Sequence, residues 1–328
     1  MNYYIGIDGG GSKTEFLLCD QEGVRLAECR LGSASYKQIG IEGLERLLRQ
    51  GFDLLLEQSG LSGSEQYNCC CGLPNWGESR QYDHLIAAFL AESFPEFHIS
   101  LVNDCEVGWA GSLLLEEGIN MVAGTGSIGY GKTKDGRTAR AGGWSEFFSD
   151  EGSGRWLGMQ CMELFTKEAD GRCPKGALYF SIREHFELET DTDIIDIFEQ
   201  DYNPKRDSIA GIQKLLLQAA QNGDMAAVAV YERAAKELAD IVIALYERLF
   251  APDACKVSYS GGIFQIQEYV QKPFASFLQS YPMEVVKPKA SPTVGAVLLA
   301  KQIADGAKPK KGFMENLIRV DSKEREEV

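Results

Sequence analysis

The sequence predicts an α/β protein built from two similar domains, and three observations support this. The chain has 328 residues, enough for two separate hydrophobic cores. Apolar segments of strand and helix length alternate along it, which predicts mixed sheets with right-handed crossovers. A unit of strand, glycine-rich tip and strand occupies residues 3–18 and returns at residues 118–132. Such an internal repeat indicates two domains of similar fold.

Composition and charge exclude several classes of protein. Hydrophobic residues make up 44% of the chain and charged residues 25%, which is typical of a globular protein in water. The net charge of -15 argues against nucleic acid or an anionic membrane as a partner. There is no long apolar run and no leader-like N-terminus, so we expect a cytoplasmic protein without a membrane span. The nine cysteines form no C-x-x-C pair, which favours reduced side chains over a metal site.

The first domain is predicted to begin with three antiparallel strands within residues 3–31. Apolar spacing and turn residues then predict a helix around 44–56, a strand at 68–73, a helix at 80–93, a strand at 98–102 and a helix from about 105 to 116. This order places parallel strands beside the opening hairpin.

The tip of the opening hairpin has the residues that phosphate binding requires. Residues 9–14 read Gly-Gly-Gly-Ser-Lys-Thr, and a row of glycine and serine amides forms an anion-binding concavity. Asp8 stands at its mouth, where a carboxylate beside phosphate implies a bridging Mg²⁺ ion. The spacing matches neither a Walker A loop nor a Rossmann fingerprint. A purely structural hairpin is the alternative, because glycine-rich turns are common.

Asp104 follows the predicted strand at 98–102, at the carboxyl end where ligands of open α/β sheets gather. This position favours a reactive carboxylate. The alternative is a helix N-cap, for which aspartate is also a preferred residue. The two interpretations are compatible with each other.

The second domain repeats the hairpin with the tip Gly124-Thr125-Gly126-Ser127. Two such tips, one in each domain, suit the phosphates of one nucleotide. Most of the remaining chain is predicted to be helical, at 155–168, 176–186, 193–200, 207–221, 224–250 and from 292, with strands at 255–259 and 283–286. The charged tail from residue 308 is predicted to be a solvated helix or a frayed end.

Residues 141–154 are predicted to form a shaped functional loop, since they contain several glycines, one tryptophan and three acids. Trp144 can pack against the apolar face of a sugar ring, while Asp150 and Glu151 accept its hydroxyl protons. The alternative is a tight interdomain turn in which Asp150 caps the following helix. A further glycine pair, Gly261-Gly262, follows a predicted strand and allows a flat purine to lie against the backbone.

Together these motifs resemble the N-acetylglucosamine kinase branch of the BadF/BadG/BcrA/BcrD ATPases, in the actin/hexokinase/Hsp70 superfamily. The motifs that carry the resemblance are residues 6–14, 103–104, 124–127, 142–144, 150–153 and 260–262. The resemblance implies two ribonuclease H-like (actin-like ATPase) domains with an interdomain cleft. The expected N-terminal domain is 1–117, joined by a C-terminal helix of about 292–328, and the expected C-terminal domain is 118–291.

The resemblance also implies a role for each matching residue. Asp104 would be the general base, and Asp8 would hold Mg²⁺ through water. The residues expected to bind ATP are Gly9, Gly10, Gly11, Ser12, Lys13, Thr14, Thr125, Gly126, Ser127, Ala220, Gly261 and Gly262. Those expected to bind the sugar are Ser35, Tyr36, Asn103, Asp104, Gly143, Trp144 and Asp150.

The expected function is therefore ATP-dependent phosphorylation of a small-molecule sugar. The resemblance also implies that a homodimer is one of the assemblies to expect. Ser35 stands where the branch usually has a sugar-binding asparagine, so N-acetylglucosamine, glucosamine and other hexose derivatives stay open as substrates. An ATPase that activates a partner enzyme is the alternative. Such activators carry a cluster-binding cysteine just before the second tip, whereas residues 121–123 here read Met-Val-Ala. A sugar-sensing regulator is disfavoured because no DNA-binding motif precedes the first strand.

Overall fold

The computed structural model describes residues 2–62, 65–202 and 206–319. The chain divides into two compact units. Unit 1 contains the residues up to Asn120 together with those from Lys287 onward, and unit 2 spans Met121–Val286. Each unit is built on a five-stranded mixed sheet with helices packed against it.

The sheet of unit 1 combines an antiparallel hairpin with parallel strands. In chain order its first elements are β1 (Asn2–Gly9), β2 (Thr14–Cys19), β3 (Arg25–Leu31), α1 (Tyr36–Ser59), β4 (Gln66–Leu73), α2 (Arg80–Ser93), β5 (Phe97–Asn103) and α3 (Asp104–Leu113). The strand order is β3-β2-β1-β4-β5. β1, β2 and β3 pair antiparallel, while β4 is parallel to both β1 and β5. The carboxyl ends of β1, β4 and β5 therefore meet at one edge.

Helix α1 covers one face of this sheet with the apolar stripe that the sequence predicted. Leu44, Leu48 and Phe52 are buried, and the Phe52 ring stacks on Phe97 with 4.1 Å between ring centroids. The helix begins at Tyr36, earlier than its apolar period indicates. Gly40, with a φ of 73°, kinks the chain, so the first turn does not share the periodicity of the rest.

The chain returns to unit 1 through α10 (Pro292–Asp305) and α11 (Lys311–Ile318). Helix α10 packs directly on β1: a Cβ atom at Gly6 would lie 2.5 Å from the Thr293 carbonyl oxygen and the Val297 nitrogen. It also crosses α3 closely, where Gly295 faces the backbone of Gly111. Glycines at these contacts let backbone approach backbone.

The C-terminal segment corrects two predictions. Instead of one helix over about 292–328, the described residues 292–319 form two, because Gly306 ends α10 in a left-handed conformation. The prediction of a solvated or frayed segment from residue 308 is wrong for α11. Phe313 and Leu317 are buried, and the Phe313 ring meets Tyr4 edge-on at 5.9 Å. Four-residue spacing brings these apolar side chains to one face of a charged helix. Residues 320–328, the end of the predicted C-terminal helix and charged tail, lie outside the described part of the chain.

Unit 2 repeats this arrangement. Its elements are β6 (Gly118–Ala123), β7 (Ser127–Lys132), β8 (Thr138–Gly142), α4 (Gly154–Ala169), α5 (Ala177–His185), α6 (Asp193–Ile197), α7 (Arg206–Gln221), α8 (Met225–Leu249), β9 (Cys255–Ser260), α9 (Lys272–Leu278) and β10 (Met283–Val285). π-Helical turns occupy Phe198–Tyr202 and Gln267–Gln271, and a 3₁₀ turn occupies Gly262–Gln265. The strand order β8-β7-β6-β9-β10 matches that of unit 1 strand for strand, as the internal repeat predicted.

The described residues lack two further features, a membrane span and a clustered metal site. None of their helices has both the length and the apolar character needed to cross a membrane. Within the same residues, no group of three or more His, Cys, Asp or Glu side chains is arranged as a metal site.

Candidate active site

The first hairpin presents an exposed tip at the end of β1. Gly9 pairs with Thr14, and the Gly10 amide donates a 2.8 Å hydrogen bond to the Lys13 carbonyl oxygen, which closes the turn. Ser12 and Lys13 are exposed. A Cβ atom at Gly9 would lie 2.7 Å from the Gly72 carbonyl oxygen, so only glycine fits between β1 and β4 there.

Loop 32–35 is hydrogen-bonded to this tip. The Ala34 amide donates to the Gly10 carbonyl oxygen at 3.0 Å. Thr14 is fully buried, and its hydroxyl donates to the Gly32 carbonyl oxygen at 2.7 Å. Of the residues that the sequence assigned to ATP, Thr14 thus uses its hydroxyl group inside the unit, and we assign it a supporting role.

Asp8 is a buried carboxyl group in a negatively charged environment. Burial first, and then the carboxylates of Asp104 and Glu15, raise the pKa of Asp8 to about 7, while Lys13 opposes the shift. Lys13 itself forms an ion pair with Glu15. Asp8, at the end of β1, and Asp104, after β5, thus interact electrostatically at the carboxyl edge of the sheet.

Asp104 lies in the first turn of α3, and the structure corrects one interpretation of it. The residue that caps the helix is Asn103, whose side-chain oxygen accepts a 3.1 Å hydrogen bond from the Cys105 amide. Asp104 is the first helical residue, so its carboxylate does not serve as the N-cap. The amide nitrogen of Asn103 donates to the Trp76 carbonyl oxygen at 2.7 Å.

Ser35 and Tyr36 lie at the start of α1, and both are buried. The Ser35 carbonyl oxygen accepts hydrogen bonds from the Gln38 and Ile39 amides. Tyr36 packs against Tyr82, with ring centroids 5.4 Å apart. Within the described residues the Tyr36 hydroxyl has no hydrogen-bond partner, which is costly for a buried polar group.

The second hairpin tip is hydrogen-bonded to two helices, α4 and α7. The Gly154 amide donates to the Gly124 carbonyl oxygen at 2.8 Å, and the Arg155 amide donates to the Thr125 carbonyl oxygen at 3.2 Å. These bonds join the tip to the first turn of α4. The Thr125 hydroxyl donates to an Asp207 carboxylate oxygen at 3.1 Å, which adds a contact to α7.

Ser127 and Asp150 connect the second hairpin to the loop at 141–154. The buried Ser127 hydroxyl donates to the Glu151 carbonyl oxygen at 2.7 Å, and the Ser127 amide donates to Asp150 Oδ1 at 3.3 Å. The alternative in which Asp150 caps α4 is wrong, because the Ser153 side chain accepts from the Trp156 amide instead. Asp150 is itself buried, at 4% exposure.

The loop around Trp144 is compact in backbone but exposed in side chains. Gly143 has a φ of 63°, and the Ser145 carbonyl oxygen accepts from the Ser149 amide at 2.8 Å. Trp144 is 72% exposed. Phe147 and Phe148 are exposed to a similar extent, and our reading of the sequence did not single them out. These two phenylalanines have polar and acidic neighbours in the sequence, so they form no apolar pattern that predicts an exposed apolar surface.

A cavity of about 810 Å³ lies within unit 2, beside the second tip. Two of the residues that the sequence assigned to ATP, Thr125 and Gly262, line this cavity. Gly261 and Ala220 stand just behind the lining. Gly261, with a φ of 97°, packs against the Ala123 backbone, and the Ala220 carbonyl oxygen accepts a 3.2 Å bond from the Tyr269 hydroxyl.

Sequence reasoning missed most of the polar lining of this cavity. It includes Gln213, Lys214, Gln221, Gln265 and Glu268, which come from α7 and from the turns after β9. Polar residues on one side of an amphipathic helix usually indicate a solvated face, so no sequence signal distinguishes these positions. A volume of this size is in the range of small-molecule and cofactor sites.

The fold and these hairpins define the class of the protein: an α/β chain of two ribonuclease H-like domains, each with a glycine-tipped hairpin at its sheet edge. The chain belongs to the BadF/BadG/BcrA/BcrD ATPase family, which matches it over residues 5–300. Use of ATP follows from membership of this family.

Characterised relatives and solved structures are similar along nearly the whole chain. The N-acetylmuramic acid/N-acetylglucosamine kinase of Clostridium acetobutylicum is 32% identical, with 93% of this chain and 100% of that protein aligned. The glucosamine kinase GspK of Vibrio cholerae is 29% identical, over 92% and 96%. A candidate N-acetylglucosamine kinase structure from Chromobacterium violaceum has a TM-score of 0.74 at 26% identity, covering 91% of this chain and 98% of that one.

Proposed function

We propose that the protein is an ATP-dependent kinase that phosphorylates a hydroxyl group of an amino sugar such as N-acetylglucosamine or glucosamine. The observation that carries the proposal is the Asp8–Asp104 pair at the carboxyl edge of the unit 1 sheet, beside an exposed glycine-rich tip. Phosphoryl transfer needs charge neutralisation at phosphate and one carboxylate to accept the hydroxyl proton. The kinase names of the two curated relatives support the same reaction.

Nucleotide binding is assigned to both hairpins. The amides of residues 11–13 and the Ser12 hydroxyl would contact phosphate, since such tips concentrate N–H groups. In unit 2, the cavity beside Thr125 and Gly262 would take the nucleoside. Ser127, Gly126, Gly261 and Ala220 would shape these sites through the backbone.

Asp8 is assigned to Mg²⁺. The fit rests on its surroundings: a carboxylate whose pKa is raised to about 7 by burial and by two other carboxylates is stabilised by a nearby cation. Oxygen donors are also the ligands that Mg²⁺ prefers, usually one or two carboxylates with phosphate oxygens and water. When bound, the ion would neutralise charge on the transferred phosphoryl group.

Asp104 is assigned the general-base role. Its carboxylate would accept the proton of the attacking sugar hydroxyl while that oxygen bonds to the γ-phosphorus and the bond to ADP breaks. Trp144 would pack on the sugar ring. Gly143 would fix the backbone of the loop. Asp150 would support the loop by accepting the hydrogen bond from the Ser127 amide. Ser35 and Tyr36 would contact the sugar from the start of α1.

The decisive experiment is ADP release with Mg-ATP across amino sugars and neutral hexoses, with a control lacking sugar. Strong stimulation by one amino sugar is expected, and mass spectrometry of the phosphorylated product verifies the transfer. Steady ADP release that ignores every sugar would instead favour an ATPase that activates a partner enzyme. The expected homodimer and cytoplasmic location stay predictions, to be checked by light scattering and cell fractionation.

A further inference from the structure

The junction between β5 and α3 contains a side chain whose hydrogen bonds reach both the first turn of a helix and a separate loop. Asn103 is the last residue of β5 and the N-cap of α3. Its side-chain oxygen accepts from the Cys105 amide at 3.1 Å, and its side-chain nitrogen donates to the Trp76 carbonyl oxygen at 2.7 Å. Both ends of the amide are therefore engaged within unit 1.

The first bond sets the orientation of Asp104. An N-cap hydrogen bond fixes the first turn of a helix, and Asp104 is the first residue of that turn. The direction in which its carboxylate leaves the helix thus depends on the cap.

The second bond reaches the loop at 74–79, which follows β4 at the same sheet edge. This loop contains a strained position, Asn75, with a φ of 67°. Asn75 donates to a Glu78 carboxylate oxygen at 3.0 Å, and Glu78 forms a 3.0 Å ion pair with Lys37 in α1. Asn103 ties this internally bonded loop to the strand that precedes Asp104.

Among neutral side chains of this length, an amide supplies both an acceptor for a backbone N–H and a donor for a backbone C=O. Serine keeps the acceptor for the cap but is too short to span to Trp76. Alanine supplies neither. The two substitutions therefore separate the two bonds.

We propose that Asn103 is a positioning residue that locks the Asp104 carboxylate and loop 74–79 into one rigid body, and that it is not a sugar ligand. The expected effect of Asn103 on turnover rests on the proposed function, whereas its expected effect on the loop does not. It replaces the sugar-contact role that the resemblance implied for Asn103. The loop at 74–79 becomes part of the apparatus that orients the general base.

The test compares Asn103→Ser and Asn103→Ala with the full-length wild type. In Asn103→Ser, kcat is expected to fall about tenfold, while KM for the sugar and for ATP changes less than threefold. Asn103→Ala is expected to lose more of kcat and to melt at a lower temperature, because the cap is also lost. Asn316→Ser is the matched control, since it removes an exposed amide-to-carbonyl bond to Glu22 elsewhere in unit 1 and is expected to change nothing.

Hydrogen exchange supplies a readout that does not depend on activity. Amides in residues 74–79 are expected to exchange faster in Asn103→Ser, while those at the start of α3 stay protected. In Asn103→Ala both segments are expected to exchange faster.

Two results would overturn the proposal. One is a large rise in sugar KM at unchanged kcat, which would make Asn103 a sugar ligand. The other is unchanged hydrogen exchange in loop 74–79 in Asn103→Ser. If the wild type phosphorylates no sugar, the proposed function fails, but the exchange measurement still decides whether Asn103 holds the loop.

Discussion

The two hairpin tips occupy equivalent places in the two units but differ in charge and in support. The tip after β1 is exposed at Ser12 and Lys13 and has the carboxylate of Asp8 beside it. The tip after β6 has the carboxylates of Asp150 and Asp207 as hydrogen-bond acceptors, and it is also hydrogen-bonded to the first turn of α4. The two units thus share a strand order, but their hairpin tips have different charged groups and different hydrogen-bond partners. We infer that unit 1 gathers the reactive charge, and that unit 2 provides a prearranged binding scaffold.

This division predicts that the largest loss of turnover comes from unit 1. We expect Asp104→Asn to lower kcat by about a hundredfold or more, as for loss of a general base, with KM for ATP nearly unchanged. Steady-state kinetics with the best sugar measures both. Glu106→Gln, which removes a carboxylate from the same turn of α3, is the control. Near-normal turnover in Asp104→Asn would contradict the general-base role of Asp104. It would also contradict the inference that unit 1 contains the reactive charge.

Substitutions in unit 2 should act on affinity instead. Trp144→Ala is expected to raise KM for the sugar about tenfold, equivalent to roughly 1.4 kcal/mol of lost packing, with a smaller effect on kcat. Phe147→Ala, at an equally exposed ring of the same loop, is expected to leave KM unchanged. An equal change in both variants would mean that the loop acts as a whole and that Trp144 has no special role.

A third prediction compares the two hairpin serines directly. The Ser127 hydroxyl is buried and bonded to the Glu151 carbonyl oxygen, so Ser127→Ala is expected to cost about 1 kcal/mol of stability. It should also raise KM for both ATP and sugar several-fold, because Ser127 connects the tip to the loop at 141–154, the proposed sugar-binding segment. Ser12→Ala, at the exposed tip, should raise KM for ATP alone and leave Tm unchanged. Equal melting temperatures for the two variants would show that the tips are held alike.

The smallest effect concerns stability without ligands. The folded-state pKa of Asp8 is raised from 3.8 to about 7, so the folded protein binds this proton more tightly than the unfolded chain does. The free energy of unfolding therefore falls as pH rises from about 4 to about 7. Asp8→Asn removes this term and is expected to raise Tm of the ligand-free protein at pH 8 by a few degrees.

The gain from Asp8→Asn should be smaller at pH 5, and differential scanning calorimetry at the two values measures it. Kinase activity should fall in the same variant, since the proposed Mg²⁺ ligand is lost. A variant that melts at the wild-type temperature at pH 8 would contradict the crowding of carboxylates in unit 1.

Much of the fold followed from local sequence patterns. The apolar stripe of α1 and the repeated hairpins were visible because helical and strand periodicities are properties of short segments. The place of Asp104 at a sheet edge followed from strand order. The burial of Phe313 in α11 was missed, because charged neighbours concealed an apolar face that only packing against Tyr4 reveals.

The sequence by itself determined the two-domain α/β class, the positions of both glycine tips and the candidate base, since each depends on residues adjacent in the chain. The tertiary structure decided which polar groups are engaged. It showed that Asn103, and not Asp104, caps α3, that Ser153 caps α4, and that Ser127 joins a hairpin to a loop more than twenty residues away. Hydrogen bonds between distant segments depend on how the elements pack, and no local pattern records that packing.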